Sequence, residues 1–571
     1  MRILILTHSF NSLAQRIYAE LALLGHDLTV ELDISDEVTE SAVALFRPDL
    51  VVAPFLKRAI PPSVWRRVPC FIVHPGIRGD RGPSALDWAI LEGRETWGVT
   101  VLQAEAEMDG GPVWAWREFP MRLAAKGSIY RFEVTEAAVA AVLEAVDKLA
   151  EGDFRAEAPD PADRAIAGGW RDSMRQSDRR IDWQQDDTIK VLRKIHSADG
   201  HPGVRDNIAG RPVRLYAASA EYRLAGAPGE LLAQRDGAVC RATVDGAVWI
   251  GQVRAEAERS LKLPAVQVLG EHAARLPESG VDAFVPAAGG GFREIRYEER
   301  DAVGWLHFDF HNGAMSTAQC RRLLAAWRHA AARPTRVIVL AGGRDFWSNG
   351  LNLNVIEAAD SPADASWDNI NAIDDLAEAI VRETGKLTLS MVGGNAGAGG
   401  VFLALAADHV LLRDGVVLNP HYRNMGNLYG SELWTYLLPR RVGESGVRAV
   451  MDHRLPMLAR TAVASGLADE LGPGEVEAFA AHAKARALTL AALPDWERRL
   501  ADKQRRRAAD EAERPLSDYR AAELERMKRN FYGFDPSYHV ARFRFVHRNP
   551  HAWTPLYLAA HRRLRGPSPR H

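Results

Sequence analysis

The segment CFIVHPGIRGDRGPSALDWAILEGRETWGVTVLQAEAEMDGGPVW, residues 70–114, sets a histidine and an aspartate among glycine-rich turns. Its first β-type run ends at His74, glycines follow at 76, 79 and 82, and a helix is expected to open near Ser84. After a further strand, Asp109 stands in the turn Asp109-Gly110-Gly111-Pro112. Both side chains thus fall just beyond strand ends, where an α/β sheet presents its ligands. An imidazole with a carboxylate to orient it is a general acid/base pair. Taken on spacing alone, a loop histidine near an unrelated turn aspartate is the competing reading.

A second stretch with chemical form is GNAGAGGVFLALAADH, residues 394–409. Its glycines suit a turn whose backbone comes close to a ligand, since glycine has no side chain to hold it off. Behind them no acid or base occurs until Asp408. Polar groups gather instead in NPHYRNMGNLYGSELWTY, residues 419–436, which supplies His421, Tyr422, Tyr429 and Glu432. One such residue alone is more often structural. Their concentration after a ligand-shaped turn points to a site.

The elements that must position these groups follow from hydrophobic periodicity. RILILT, DLTVEL, LVVAPF, CFIVHP and GVTVLQ alternate with amphipathic stretches such as SLAQRIYAELALLG, which stops at Gly25 as a helix should. That alternation predicts a mostly parallel, doubly wound sheet. After EAPDPADRA come one helical segment and short β-type runs (VRLYAAS, AVWIGQV, AVQVLG), the pattern of a small β-rich domain. PAAGGGFREI, residues 286–295, reads as the clearest linker. A second α/β pattern then runs through WLHFDF, TRVIVLAG, LTLSMV and HVLLRD. From about residue 478 the chain is helical and heavily charged, a solvated face on its charge pattern. Aromatics return in NFYGFDPSYHVARFRFVHRNPHAW, which is expected to pack back onto the body. The expected partition is 1–165, 166–285 and 286–571.

Composition narrows the class. A chain of 571 residues exceeds one core, and about two to four domains are expected. With 47% apolar and 26% charged residues and a formal net charge of −2, nothing argues for nucleic acid or a membrane surface as partner. Cys70, Cys240 and Cys320 are too few and too scattered for a disulfide framework or a CxxC metal site, which suits a reducing cytoplasm. MRILILTHSF reads as a first strand, not a signal peptide. The apolar run 387–412 is broken by Asn395 and Asp408, so two strands around a turn, then a helix, explain it better than a membrane span.

The run HPGIRGDRGP…WAI…GVTV…MDGGP resembles the catalytic core of the folate-dependent formyltransferases, with similarity over roughly residues 1–280. It implies His74 and Asp109 as catalytic residues and 10-formyltetrahydrofolate as formyl donor. APFLKRAIPPSVW resembles the folate-binding loop, which implies contacts from Phe55, Leu56, Lys57, Arg58 and Ile60. RIDWQQDDTIKVLRKIHSADGHPG resembles the start of the C-terminal β-domain of the tRNA enzyme. One departure stands out: where these enzymes carry an asparagine two residues before the histidine, this chain has Ile72. A lost oxyanion donor costs about 10²–10³ in rate. Either the site is inactive or its acceptor is a better nucleophile than an amine, and a thiol qualifies.

Residues 295–470 resemble the crotonase (enoyl-CoA hydratase/isomerase) family through DFHNGAMS, FWSNGLNL and GGNAGAGGVFLALAAD. The resemblance implies an oxyanion hole from the N–H groups of Leu351 and Gly399. It also implies coenzyme A contacts from Ala314, Met315, Gly350, Leu351 and Gly399. Two N–H groups on a thioester oxygen polarise it without any side chain. The positions where hydratases carry their glutamates read Phe402 and His421, so water addition to a double bond is not expected.

The fusion, together with H-Y-R-N-M-G-N-L-Y-G-S-E-L-W-T-Y and NFYGFDPSYHVARFRFV, resembles the HypX (HoxX) hydrogenase-maturation family over the whole chain. The implied architecture is α/β multidomain: a formyltransferase-type doubly wound sheet, a small β-rich middle domain, and a crotonase-type α/β domain with a helical tail. The implied activity is carbon monoxide synthesis for nickel–iron hydrogenase: formyl transfer to coenzyme A, then decarbonylation of formyl-CoA. Tyr422 is expected to position the formyl group and Glu432 to transfer the proton. Small-molecule substrates and hydrogenase maturation proteins are the implied partners. Two rivals stand beside it: an amine formyltransferase (tRNA or sugar) carrying a non-catalytic CoA-binding unit, and a non-enzymatic CoA-ester-binding scaffold.

Overall fold

The computed structural model describes residues 1–158, 168–279 and 291–563. The expected boundaries at 165/166 and 285/286, and the first half of the glycine linker, lie outside the described residues. By internal contacts the chain divides into two units: residues 1–218, 243–248 and 550–571, and residues 219–242 and 249–549. The β-rich middle segment is thus shared between them. In the first unit Val204–Ile208 pairs antiparallel with the start of Arg211–Glu221. In the second, Leu231–Arg235 pairs antiparallel with Ala238–Ala242.

The first unit is built on a six-stranded sheet in the order Asp27–Leu32, Arg2–Thr7, Leu50–Phe55, Cys70–His74, Thr96–Gln103, Val113–Pro120. The first four strands run parallel, as strand–helix alternation predicts. The last two are antiparallel, the final pair because a loop and no helix joins them. Helix signals act where the sequence puts them. Asn11 caps Ser12–Leu23 through its side-chain oxygen on the Ala14 N–H at 3.0 Å, and Gly25 leaves the helix at φ 81°. The aromatic stretch 530–553 does pack back, with the Tyr538 hydroxyl 2.7 Å from the Ser366 hydroxyl and Arg542 Nε on Glu357 at 2.7 Å. Beyond it Glu31, fully buried, accepts from His561 Nε2 at 3.0 Å, Arg562 Nε at 2.7 Å and the Thr554 hydroxyl. Burial pushes that carboxyl up, but these three donors outweigh it and hold it below its ordinary range.

The second unit carries a six-stranded sheet in the order Ile295–Arg300, Val303–Phe308, Val337–Ala341, Leu387–Val392, His409–Arg413, Glu470–Gly472. Only its first pair is antiparallel. A smaller sheet joins Phe346–Ser348, Asn395–Gly397, Val417–Asn419 and Met457–Leu458. Residues 387–412 are strand, short strand, helix Gly399–Leu405 and strand, as their glycine pattern predicts. The core collects Phe308, Trp327, Trp347 and Phe402, all essentially inaccessible. Each large apolar side chain so buried contributes about 1.5–3 kcal/mol. Trp347 also positions chemistry: its indole N–H donates to Gly400 O at 3.0 Å, tying the 346–353 loop to the glycine turn.

Three helices bound the 419–436 segment. Pro362–Arg382 opens on the Ser361 cap with Pro at its first turn. Leu516–Tyr532 lies in the charged tail, and Trp434–Met451 follows the segment itself. The tail helix Trp496–Glu513 is solvated apart from Lys503, whose ammonium bonds Asp408 Oδ2 at 2.6 Å. Asp408 also accepts from the Thr388 N–H at 2.8 Å and hydroxyl at 2.9 Å, so the acid behind the glycine turn is structural. No described helix is long and apolar enough to cross a membrane.

Candidate active sites in the two units

In the first unit His74 ends its strand with 4% exposure, held between two carboxylates. Its Nε2 lies 2.9 Å from Asp80 Oδ2, a hydrogen bond, and its Nδ1 lies 3.6 Å from Asp109 Oδ2, an ion-pair distance. Asp109 is set at φ 53° and accepts the Gly82 N–H at 3.1 Å, which turns its carboxylate back toward the histidine. Gly76 is required by close approach: a Cβ there would stand 2.4 Å from His74 Nε2 and 2.6 Å from Asp80 Oδ2. The Thr100 hydroxyl on Gly76 O at 2.9 Å and the Trp97 indole on Pro75 O at 2.9 Å fix the turn from the neighbouring strand. Arg171 Nε lies 3.6 Å from Asp80 Oδ1.

Such an imidazole can move a proton in either direction. Ile72, half-buried in the strand between Ala53 and Leu102, offers no polar group. Of the expected folate loop, Phe55 and Leu56 are half-buried and Lys57 and Arg58 exposed, with Lys57 N–H on Asp33 at 3.3 Å and Arg58 on Asp36 at 2.7 Å. The Phe55 carbonyl accepts the His8 N–H at 2.7 Å, and Ile60 packs into the core.

In the second unit the two glycine-bearing turns meet. A Cβ on Gly350 would lie 3.5 Å from Gly399 N. Met315 N–H donates to Gly350 O at 2.8 Å and Asn352 N–H to Met315 O at 3.1 Å, leaving Leu351 between them. Among the described residues no acceptor takes the Leu351 or the Gly399 N–H. Ala398, just before Gly399, sits at φ 47° with a side chain, a strained conformation of the kind stored at ligand turns. Of the expected CoA contacts, Met315 is wholly buried beneath the loop and Ala314 half-buried beside it.

Glu432 faces this pair. A Cβ on Gly399 would stand 2.0 Å from Glu432 Oε1, so the carboxyl occupies the space that glycine leaves. Its Oε2 accepts the Tyr422 hydroxyl at 2.7 Å and the Ser431 N–H at 3.2 Å. Phe402, at the hydratase-glutamate position, stacks on the Tyr422 ring at 5.6 Å and 11°. Burial first, then the neighbouring Asp374 charge, pushes Glu432 up to about 8, so it carries a proton at neutral pH. With Oε2 accepting twice, Oε1 is the oxygen left to hold that proton. Gly399→Ala should therefore displace the carboxyl and lower the second unit's turnover by at least tenfold, with the fold retained by circular dichroism. His421 is buried and driven down to about 4 by that burial and by Arg454, so it is neutral at pH 7. Tyr429 packs on Trp434 at 5.3 Å.

Three acids escaped the sequence reading. Asp80 sits within the quoted HPGIRGDRGP but was not paired with His74. Asp374 and Glu523, both fully buried, approach the Glu432 turn from separate helices. Each lies on its helix's apolar stripe: Asp374 among Ile370, Ile373 and Ala377, Glu523 between Leu516 and Met527. A carboxylate on an apolar stripe was the available signal.

The chain matches the formyl transferase family over residues 20–146, the formyl transferase C-terminal domain over 173–266 and the enoyl-CoA hydratase/isomerase family over 306–547. Fold and sites together define a formyltransferase fused to a crotonase. Among curated relatives, the hydrogenase maturation factor HoxX of Bradyrhizobium diazoefficiens is 56% identical over 567 residues, 99% of this chain and 98% of that one. The crystal structure of HypX from Aquifex aeolicus in complex with tetrahydrofolic acid superposes with a TM-score of 0.96 at 50% identity, covering 99% of both chains. The methionyl-tRNA formyltransferase of Roseiflexus castenholzii is 32% identical over 249 residues, 42% of this chain and 76% of that one. The chain belongs to the HoxX/HypX family of hydrogenase maturation factors.

Proposed function

We propose that this chain makes carbon monoxide for nickel–iron hydrogenase maturation in the cytoplasm, using 10-formyltetrahydrofolate and coenzyme A. In the first unit the CoA sulfur forms a bond to the formyl carbon, the carbon–N10 bond breaks, and the thiol proton ends on N10. His74 carries that proton, with Asp109 and Asp80 orienting the ring. A thiol acceptor tolerates Ile72 because sulfur is the stronger nucleophile. The tetrahydrofolic acid complex of the Aquifex relative supports a folate ligand, and the formyl transferase match over residues 20–146 supports this unit as its place.

In the second unit the formyl oxygen rests on the Leu351 and Gly399 N–H groups. The formyl hydrogen leaves as a proton to the Glu432 carboxyl, which gives its own proton to sulfur. The carbon–sulfur electrons go to sulfur, the carbon–hydrogen electrons become the carbon lone pair, and CO and CoA leave. Tyr422 holds the carboxyl and the formyl group in register. The observation that carries this reading is a buried carboxyl set against the Gly399 turn and its open N–H donors, with Phe402 where a hydratase needs an acid.

The test is direct. The chain is incubated with 10-formyltetrahydrofolate and CoA, and CO is read as a carbonyl-haem spectrum on a reporter globin. CO that requires both substrates is the expected result. Formylation of an amine without CoA, or no CO with both substrates present, would overturn it.

A further inference from the structure

The turn that presents Glu432 is unusual in its backbone. Glu432 and Leu433 are consecutive residues with side chains at φ 59° and φ 60°. Left-handed backbone is unfavourable for such residues, and it persists only where surroundings over-determine it. The helix that begins next, Trp434–Met451, has no side-chain cap of its own, since its N-cap is Leu433.

Two distant carboxylates supply what the turn lacks. From Pro362–Arg382, Asp374 Oδ1 accepts the Glu432 N–H at 2.8 Å and Oδ2 the Ser431 hydroxyl at 2.7 Å. From Leu516–Tyr532, Glu523 Oε2 accepts the Leu433 N–H at 3.0 Å. Its Oε1 accepts the Thr435 N–H at 2.8 Å and hydroxyl at 2.6 Å. The Ser431 hydroxyl lies 3.4 Å from Glu523 Oε2, so one serine stands between both acids. We propose that Asp374 and Glu523 are positioning residues that clamp the left-handed Glu432–Leu433 turn and so fix the Glu432 carboxyl against Gly399.

Burying a carboxylate is costly unless it is paired, and each of these acids accepts on both oxygens, which an amide with its single acceptor oxygen cannot reproduce. Their charges also bear on Glu432. The groups facing Glu432 are the Tyr422 hydroxyl, Asp374 and Glu523, with the Cys320 thiol near enough to feel its charge. The cation behind them is Arg520, 3.8 Å from Asp374 and shared with Asp375 at 2.7 Å and Glu378 at 3.0 Å. Burial and then the Asp374 charge raise Glu523 to about 8, while burial, opposed by the Ser431 hydroxyl and Arg520, raises Asp374 to about 6. Asp374 is thus the anion whose charge keeps the proton on Glu432.

This rests on the decarbonylase reading for its purpose but not for its measurement. In the full chain, the protonated-carboxyl band missing from Glu432→Gln is followed by infrared difference spectroscopy against pH. Asp374→Asn keeps an acceptor oxygen and removes the charge. It should move that band's titration, and the alkaline limb of CO release from formyl-CoA, down by about one pH unit. Glu523→Gln is the second variant, expected to lower CO release at least tenfold. Glu523→Asp, with the carboxyl retained on a shorter arm, should lower it too. If the titration moves but wild type makes no CO, the proposed function fails and the clamp stands. If wild type makes CO while titration and rate are unchanged in both amide variants, the clamp is overturned.

Discussion

Glu432→Gln should stop carbon monoxide release while formyl transfer continues, so that formyl-CoA accumulates. The substitution is nearly isosteric and keeps an oxygen for Tyr422 and the Ser431 N–H. It removes only the ability to take a proton on one atom and give one from another. General acid–base catalysis of this kind is worth about 10²–10⁴ in rate, or roughly 3–5 kcal/mol of barrier. The measurement is CO by haem reporter beside formyl-CoA by chromatography in the same reaction. If Glu432→Gln releases CO at the wild-type rate, another group exchanges the proton. Tyr422→Phe is the graded companion, since its ring would still stack on Phe402 while the 2.7 Å hydroxyl contact is lost.

Much of this geometry was legible in the residues because it is local. His74 and Asp109 lie in one strand–helix–strand unit, and the alternating apolar runs fix where those strands end. The two glycine turns announce themselves through Gly350, held at φ 74°, and Gly399, where a Cβ would meet the Glu432 carboxyl. What was not legible is long-range. Asp374 reaches Glu432 across 58 residues and Glu523 reaches Leu433 across 90. The charge pattern of the tail describes Trp496–Glu513 well but hides Glu523, because a helix face is set by its packing partner and not by its average charge. The antiparallel last strands of the first sheet and the shared middle segment are likewise matters of pairing, which periodicity alone does not encode. Asp80 was the nearest miss: it depends on a loop that turns through Gly79 at φ 85° to bring a second carboxylate onto the same imidazole.

His74→Ala should give the mirror image of the Glu432 result. Formyl transfer from 10-formyltetrahydrofolate to CoA should fall by about 10²–10⁴, and CO with it. CO release from supplied formyl-CoA should stay at the wild-type rate, because His74 belongs to the first unit and the open N–H pair to the second. The two variants mixed together would then exchange formyl-CoA through solution, and CO should reappear. If His74→Ala loses CO even from supplied formyl-CoA, the two steps do not divide between the two units. Ile72→Asn sharpens the same argument. It restores the side-chain donor that amine formyltransferases carry, so its benefit should be small for a thiol acceptor and large for an amine. A large rate gain with CoA would show that oxyanion stabilisation, not sulfur's nucleophilicity, limits the first step. A gain confined to amine acceptors would show that Ile72 is tolerated because the acceptor is a thiol.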